Sequence, residues 1–148
     1  VSEAADIPQG FKALRRGSSP FLSSLGPLYA KGEGDSVVIG LRIEEKHLNT
    51  RGVAHGGMLV TLADSALGIV VGMSRTPPQP MVTVNLTTDF ADVARAGDWV
   101  EARVDVQKNG RRLAFANCHL WVGKKRILRA SGIFAHVPPA GREGPFEG

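Results

Sequence analysis

The sequence predicts an α+β fold in which an antiparallel sheet wraps around one long central helix. Three observations carry this. Met58 to Met73 is a nearly apolar run whose hydrophobic residues lie all round a helical cylinder, so the helix must be covered on nearly every side. Before it, Val37, Ile39, Leu41 and Ile43 alternate with Val38, Gly40, Arg42 and Glu44, the period of a half-buried strand. After it come four strand-like segments separated by turn signals. The chain has 148 residues and reads as one domain, 1–148. A domain of this size buries roughly 70% of its unfolded surface, enough for a core without disulfides or metals.

Residues 1–17 read as a loosely attached lead-in, with Phe11 and Leu14 capping the core from one helical turn. Ser19, Pro20 and Gly26 bracket a brief helix: an N-cap hydroxyl, a proline at the first turn and a closing glycine. Leu28 to Lys31 and Ser36 to Glu45 are extended, with Gly32 and Gly34 between them. Lys46 to Val53 is a polar loop. The long helix starts at about Ala54–Gly56 and runs to Gly72, and Pro77, Pro78 and Pro80 prevent its continuation. Strands follow at Met81–Phe90, Asp98–Lys108, Arg111–Val122 and Lys125–His136. In the second of these, Val100, Ala102, Val104 and Val106 share a face. Asn109-Gly110 signals a hairpin because both residues tolerate positive φ, and Gly123-Lys124 turns the chain again. The Gly/Pro-rich residues 138–148 read as a mobile tail.

Composition is ordinary, with 43% hydrophobic and 22% charged residues. Thr61, Asp64 and Ser65 interrupt the apolar run, which therefore reads as a buried helix and not a membrane span. Residues 1–6 show no basic-then-apolar pattern, so no secretory signal is expected and a cytoplasmic location fits. Cys118 is the one cysteine, which excludes an intrachain disulfide and a cysteine-based zinc cage. It alternates with apolar strand residues and reads as core. The net charge of +4 is concentrated in Arg15-Arg16, in Lys108 with Arg111-Arg112, and in Lys124-Lys125-Arg126. These are either solvated turns or a rim for a small polyanion. No recognition helix or aromatic nucleic-acid motif accompanies them.

The stretch from Asn49 to Ala66 holds the candidate chemistry. Glycine is a weak helix former, so Gly56-Gly57 at a helix start suggests close approach by backbone or ligand. The first N–H groups of a helix are unpaired and sit at its positive end. Gly57 N–H could therefore hold the oxyanion formed when a carbonyl is attacked; the alternative is tight packing. Asp64 lies among Leu62, Ala63, Ala66 and Leu67, a costly position for a carboxylate without a partner or a task. Either catalysis or a bond to Thr61 or Ser65 explains it. Gly57 and Asp64 are seven residues apart, about 10 Å along a helix axis. That is too far for one carbonyl carbon to meet both within one chain. Two antiparallel helices across a two-fold would bring them together from different subunits. Gly57, Thr61, Asp64, Ser65, Gly68 and Gly72 form a small-residue stripe that permits such an approach, or simple packing on the sheet. Asn49 either fixes its loop or adds a second donor, and His55 either bonds substrate or holds the loop. His47, His55, His119 and His136 show no metal-binding spacing, so neither metal nor cofactor is expected. There is no nucleophile elbow.

The order of elements and the His55-Gly56-Gly57…Asp64 motif resemble the hot-dog-fold acyl-CoA thioesterase superfamily. The nearest likeness is to the phenylacetate-pathway and acyl-CoA thioesterase-13-like group. The resemblance spans residues 19 to 137 and includes Phe21-Leu22, Asn49, Thr83 and the Lys108-Asn109-Gly110-Arg111 hairpin. It implies the hot-dog fold and hydrolysis of an acyl- or aryl-CoA thioester by a homodimer or dimer of dimers, with the active site at the subunit interface. It implies that Gly57 N–H and Asn49 polarise the carbonyl, that His55 supports the loop or the departing thiol, and that Asp64 of the partner subunit acts as general base or nucleophile. Thr83 would orient the water. Gly56, Lys108, Arg111 and Arg112 would contact the substrate, the basic residues near the phosphates. Related branches carry glutamate where this chain has Asp64. Two other readings stay open: a hot-dog protein that binds acyl-CoA without cleaving it, and a hot-dog dehydratase or hydratase, whose histidine and carboxylate pattern His55 and Asp64 match poorly.

Overall fold

The structure, a computed structural model, describes residues 7–14 and 19–137. Arg15-Arg16, the first residues of the expected lead-in and the expected tail 138–148 lie outside the described residues. The elements are β1 (Lys12–Ala13), α1 (Pro20–Ser24), β2 (Tyr29–Lys31), β3 (Val38–Arg42), α2 (Gly56–Met73), β4 (Met81–Phe90), β5 (Trp99–Asn109), β6 (Leu113–Val122) and β7 (Lys125–His136). The strands form one antiparallel sheet in the order β1-β2-β3-β5-β6-β7-β4. This is the hot-dog arrangement: a curled sheet with α2 across its inner face.

Local chemistry accounts for most boundaries. Ser19 Oγ accepts the Leu22 N–H at 3.3 Å and Pro20 opens α1. Val37, Ile39, Leu41 and Ile43 are all buried, as their alternation requires. In β6 Ala114, Ala116, Cys118 and Leu120 are buried at every second position. Gly123 takes φ +59° in the two-residue turn between β6 and β7, where a side chain would be strained.

Two expectations are corrected. The segment around Phe11 to Leu14 is not a helical turn. Lys12 and Ala13 pair with Ala30 and Tyr29, and Phe11 packs edge-on against Trp99 with ring centroids 5.0 Å apart. The pairing edge of β2 offers backbone partners that an isolated turn lacks. The β5–β6 hairpin forms as expected, but neither Asn109 nor Gly110 has positive φ. Asn109 instead ends β5, and its side chain ties the hairpin to the end of α2. Its Nδ2 donates to Ser74 Oγ at 2.8 Å and its Oδ1 accepts from Arg75.

Ten of the 18 residues of α2 are buried, Leu62, Ala63, Ala66, Leu67, Val70 and Val71 almost completely. By length and composition α2 could cross a bilayer, but here the sheet covers it. At about 25 cal/mol per Å² of apolar area, each fully buried leucine or valine contributes roughly 1.5–3 kcal/mol. β7 approaches α2 at Gly132, where a Cβ would lie 2.5 Å from the Phe134 ring and 3.1 Å from Leu67.

His47, read from sequence as isolated, is buried. Its Nδ1 accepts the Glu44 N–H at 2.9 Å, and its Nε2 donates to the Leu25 carbonyl at 2.5 Å. The ring pins the end of α1 to the loop that leads into α2. Removing it leaves a buried donor and acceptor unpaired. His47→Ala should lower unfolding stability by about 1–3 kcal/mol, measured by urea titration. Burial pushes the Cys118 thiol pKa up to about 12. Cys118 should therefore resist thiol reagents at pH 8 in the native protein and react promptly in denaturant. Rapid native labelling would contradict this packing.

Candidate active site

The loop before α2 is held by its own side chains. Asn49 Oδ1 accepts the N–H groups of Arg51 at 2.9 Å and Val53 at 3.3 Å, while Asn49 N–H donates to the Val53 carbonyl. Gly52 closes this turn at φ +77°. Ala54 N–H bonds the Ala94 carbonyl and His55 N–H bonds the His47 carbonyl, both at 2.8 Å. The oxygen end of Asn49 is thus used as a loop brace, which leaves its amide nitrogen as the end that can meet a ligand.

His55 is the N-cap of α2, and its Nδ1 accepts the Gly57 N–H at 2.9 Å. Accepting there requires the neutral ring with its proton on Nε2, which makes Nε2–H an outward donor. The expectation that Gly57 N–H stands free for a carbonyl oxygen is therefore corrected, because the cap occupies it. Gly56 N–H has no partner among the described residues and is an available donor at the positive end of α2. The Phe90 ring lies over Gly56, where a Cβ would come within 3.2 Å of it.

Asp64 is half-buried in the middle of α2. Its Oδ1 accepts the Thr83 hydroxyl at 2.6 Å, rather than a bond from Thr61 or Ser65. Thr61 Oγ1 donates back to the Gly57 carbonyl at 3.0 Å. Thr83 lies on β4, a sheet-edge strand. It pairs with Phe134, and Asn85 pairs with Ile133, so Val84 is an extra residue in the ladder. This bulge lets Thr83 face α2 while Leu86 and Thr88 also turn inward.

A cavity of about 980 Å³ opens beside Asp64 and Thr83. Ser65, Gly68 and Ile69 of α2 line one side, and Met81 and Phe134 another. Ser19, Leu22, Ser23 and Leu28 line it as well. The sequence identified α1 as a helix but gave no sign that it faces the carboxylate, because contact between residues so far apart in the chain has no local signature. No lysine or arginine lines the cavity among the described residues.

Lys108, Arg111 and Arg112 are not brought to Asp64. They are exposed around the β5–β6 hairpin, beside the C-terminal end of α2. Ser74, against which this hairpin is tied, is ten residues from Asp64, about 15 Å along a helical axis. Arg75 was not singled out from the sequence. It donates to Asn109 Oδ1, to the Gly110 carbonyl at 2.9 Å and to the Arg111 carbonyl at 3.5 Å, so it braces the basic hairpin. An arginine just past a helix end is too common to signal this. Among the described residues no cluster of His, Cys, Asp or Glu could hold a metal ion.

The thioesterase superfamily model matches residues 51–128, the segment from the loop before α2 to β7. A Pseudomonas aeruginosa protein named "Putative esterase" is 50% identical over 134 residues, 90% of this chain and 98% of that protein. Acyl-coenzyme A thioesterase 13 of Mus musculus is 29% identical over 86 residues, 58% of this chain and 61% of that protein. Among solved structures, the zebrafish thioesterase superfamily member 2 matches with a TM-score of 0.71 at 28% identity, over 84% of this chain and 88% of that one.

The loop and cap predict their own cost. Replacing His55 with alanine should destabilise α2 by about 0.5–2 kcal/mol, the usual effect of losing an N-cap, measured by thermal melting. An unchanged melting curve would mean that the cap bond carries no net weight.

Proposed function

The chain belongs to the thioesterase superfamily, and from that premise we propose that it hydrolyses acyl- or aryl-CoA thioesters with Asp64 as general base. One observation carries the reading: Asp64 Oδ1 accepts the Thr83 hydroxyl at 2.6 Å at the side of a large, largely apolar cavity. With its proton committed to Asp64, Thr83 Oγ1 can accept from a water whose other proton faces Asp64 Oδ2. Asp64 takes that proton as the water oxygen attacks the thioester carbon. The carbonyl oxygen becomes an oxyanion, held by a preorganised N–H. Collapse of the tetrahedral intermediate breaks the C–S bond, and the thiolate takes back the proton from Asp64, while His55 Nε2–H can donate a hydrogen bond to the departing sulfur.

The oxyanion donor comes from a second copy in this reading. Gly56 and Asp64 lie eight residues apart on one helix, about 12 Å along its axis. β4 is an edge strand of ten residues whose exposed side chains include Val82, Val84 and Phe90, an edge that invites pairing. Antiparallel pairing of two β4 strands about a two-fold at their middle sets the Thr83 end of one against the Phe90 end of the other. Phe90 packs on Gly56 within its own chain. The partner's free helix N-terminus then arrives beside Asp64, with the Asn49 amide nitrogen close by. The phosphates of CoA stay outside the cavity, which no lysine or arginine lines among the described residues. Lys108, Arg111 and Arg112 are the cations offered for them, beside the chain end of β7 that also pairs with Met81 at the cavity wall. Cytoplasmic residence is part of the same proposal.

Thiol release from a panel of acyl- and aryl-CoA esters tests the chemistry. Asp64→Ala should lower kcat by about 10²–10⁴-fold, and near-native turnover would remove Asp64 from the mechanism. Thr83→Val, which deletes one hydrogen bond, should cost about tenfold. Gly56→Pro removes the proposed donor at the first helical position, where proline fits the backbone and the Phe90 ring must shift by a few tenths of an ångström. Co-refolding the two inactive chains, Asp64→Ala and Gly56→Pro, should restore part of the activity, because one mixed site per dimer is intact. No recovery would put donor and base in the same chain.

A further inference from the structure

Resting on the proposed hydrolase reading, we propose that Gly68 sets the size of acyl group the site admits, by leaving open the part of the cavity next to the reacting carbon.

The argument starts from what glycine costs. In a helix interior it is destabilising relative to alanine, so a glycine there needs a local reason. α2 contains four glycines, at positions 56, 57, 68 and 72. Gly56 and Gly57 open the helix, where Phe90 covers the first and His55 caps the second. Gly72 is forced by packing, since a Cβ would lie 2.5 Å from the Gln79 carbonyl oxygen. Gly68 has neither reason. Its φ is not positive, and an added Cβ would meet only the edge of Phe134 at 3.6 Å, an ordinary contact. Nothing among the described residues forbids a side chain there.

What Gly68 does face is the cavity. It lines it together with Asp64, Ser65, Leu22 and Leu28, and beside Phe134. It is one helical turn beyond Asp64, about 6 Å along the axis. An acyl group whose carbonyl carbon is at Asp64 brings its next few carbons level with Gly68. Phe134 pairs with Thr83 across β4 and β7, so the same aromatic edge borders both the water-positioning hydroxyl and the gap at Gly68. A side chain at position 68 would occupy the space the acyl chain must pass.

The test uses the full chain as wild type, Gly68→Ala and Gly68→Leu, titrated calorimetrically with S-alkyl-CoA thioethers of graded length from ethyl to dodecyl. In the wild type affinity should climb with each methylene, by about fourfold at most. In Gly68→Leu the climb should stop at short alkyl groups, with a loss of about tenfold or more for the longest. Gly68→Ala should fall between the two and melt at a higher temperature than wild type, because alanine is the better helix former and its Cβ meets Phe134 at an ordinary contact distance. Parallel length profiles in all three proteins would overturn the proposal. So would a Gly68→Ala protein that melts lower, or dissociates in light scattering with the profile preserved, since glycine would then serve packing. Thiol release from the matching acyl-CoA esters is measured alongside. Truncated binding in a protein that releases no thiol keeps the pocket assignment and removes the hydrolase reading. Thiol release with parallel binding profiles does the reverse.

Discussion

A helix that is apolar on nearly every side cannot rest on a flat surface, and this constraint organises the molecule. α2 needs cover round most of its circumference, and a single antiparallel sheet provides it by curling. β4, β5, β6 and β7 all reach it, and residues of α1 and of the segment 26–28 line the cavity together with the part the sheet leaves. The remaining stripe of α2 carries Asp64, Ser65 and Gly68, residues that would be costly or wasteful under the sheet. The cavity is thus the part of the helix that the hydrophobic cover does not reach, and its position follows from the packing.

The carboxylate is tolerated there because β4 supplies a partner. A half-buried Asp64 without a donor would be unfavourable, and the Thr83 hydroxyl satisfies one of its oxygens while leaving the other towards the cavity. That bond depends in turn on the bulge at Val84, which breaks the strict alternation of an edge strand. One extra residue in a ladder therefore connects sheet register to the placement of the only acid on α2.

The entrance to α2 shows a similar division of labour. His55 occupies one helix N–H, Asn49 occupies two loop N–H groups, and Gly56 N–H has no partner among the described residues. The polar residues before the helix spend most of their capacity on rigidity. An unpaired N–H at the positive end of a dipole is what such a helix start can offer a developing oxyanion.

Much of this was legible in the sequence. The period-two strands, the buried helix, the caps at Ser19 and the hairpin at Asn109-Gly110 depend on residues close together in the chain, and local chemistry fixes them. The cost of burying Asp64, and the glycine pair at a helix start, pointed to the candidate site for the same reason. What the sequence could not convey depends on contacts between distant segments. His47 looked isolated because its acceptor, the Leu25 carbonyl, lies 22 residues away. Phe11 to Leu14 looked helical because the edge of β2 was not in view. Gly57 and Gly56 could not be told apart as donors until the His55 ring chose one of them. The sequence by itself determined which elements form and which residues are expensive where they stand. Only the tertiary structure decided which of those residues meet, because hydrogen-bond partners and cavity walls are set by how the sheet closes on the helix and not by spacing along the chain.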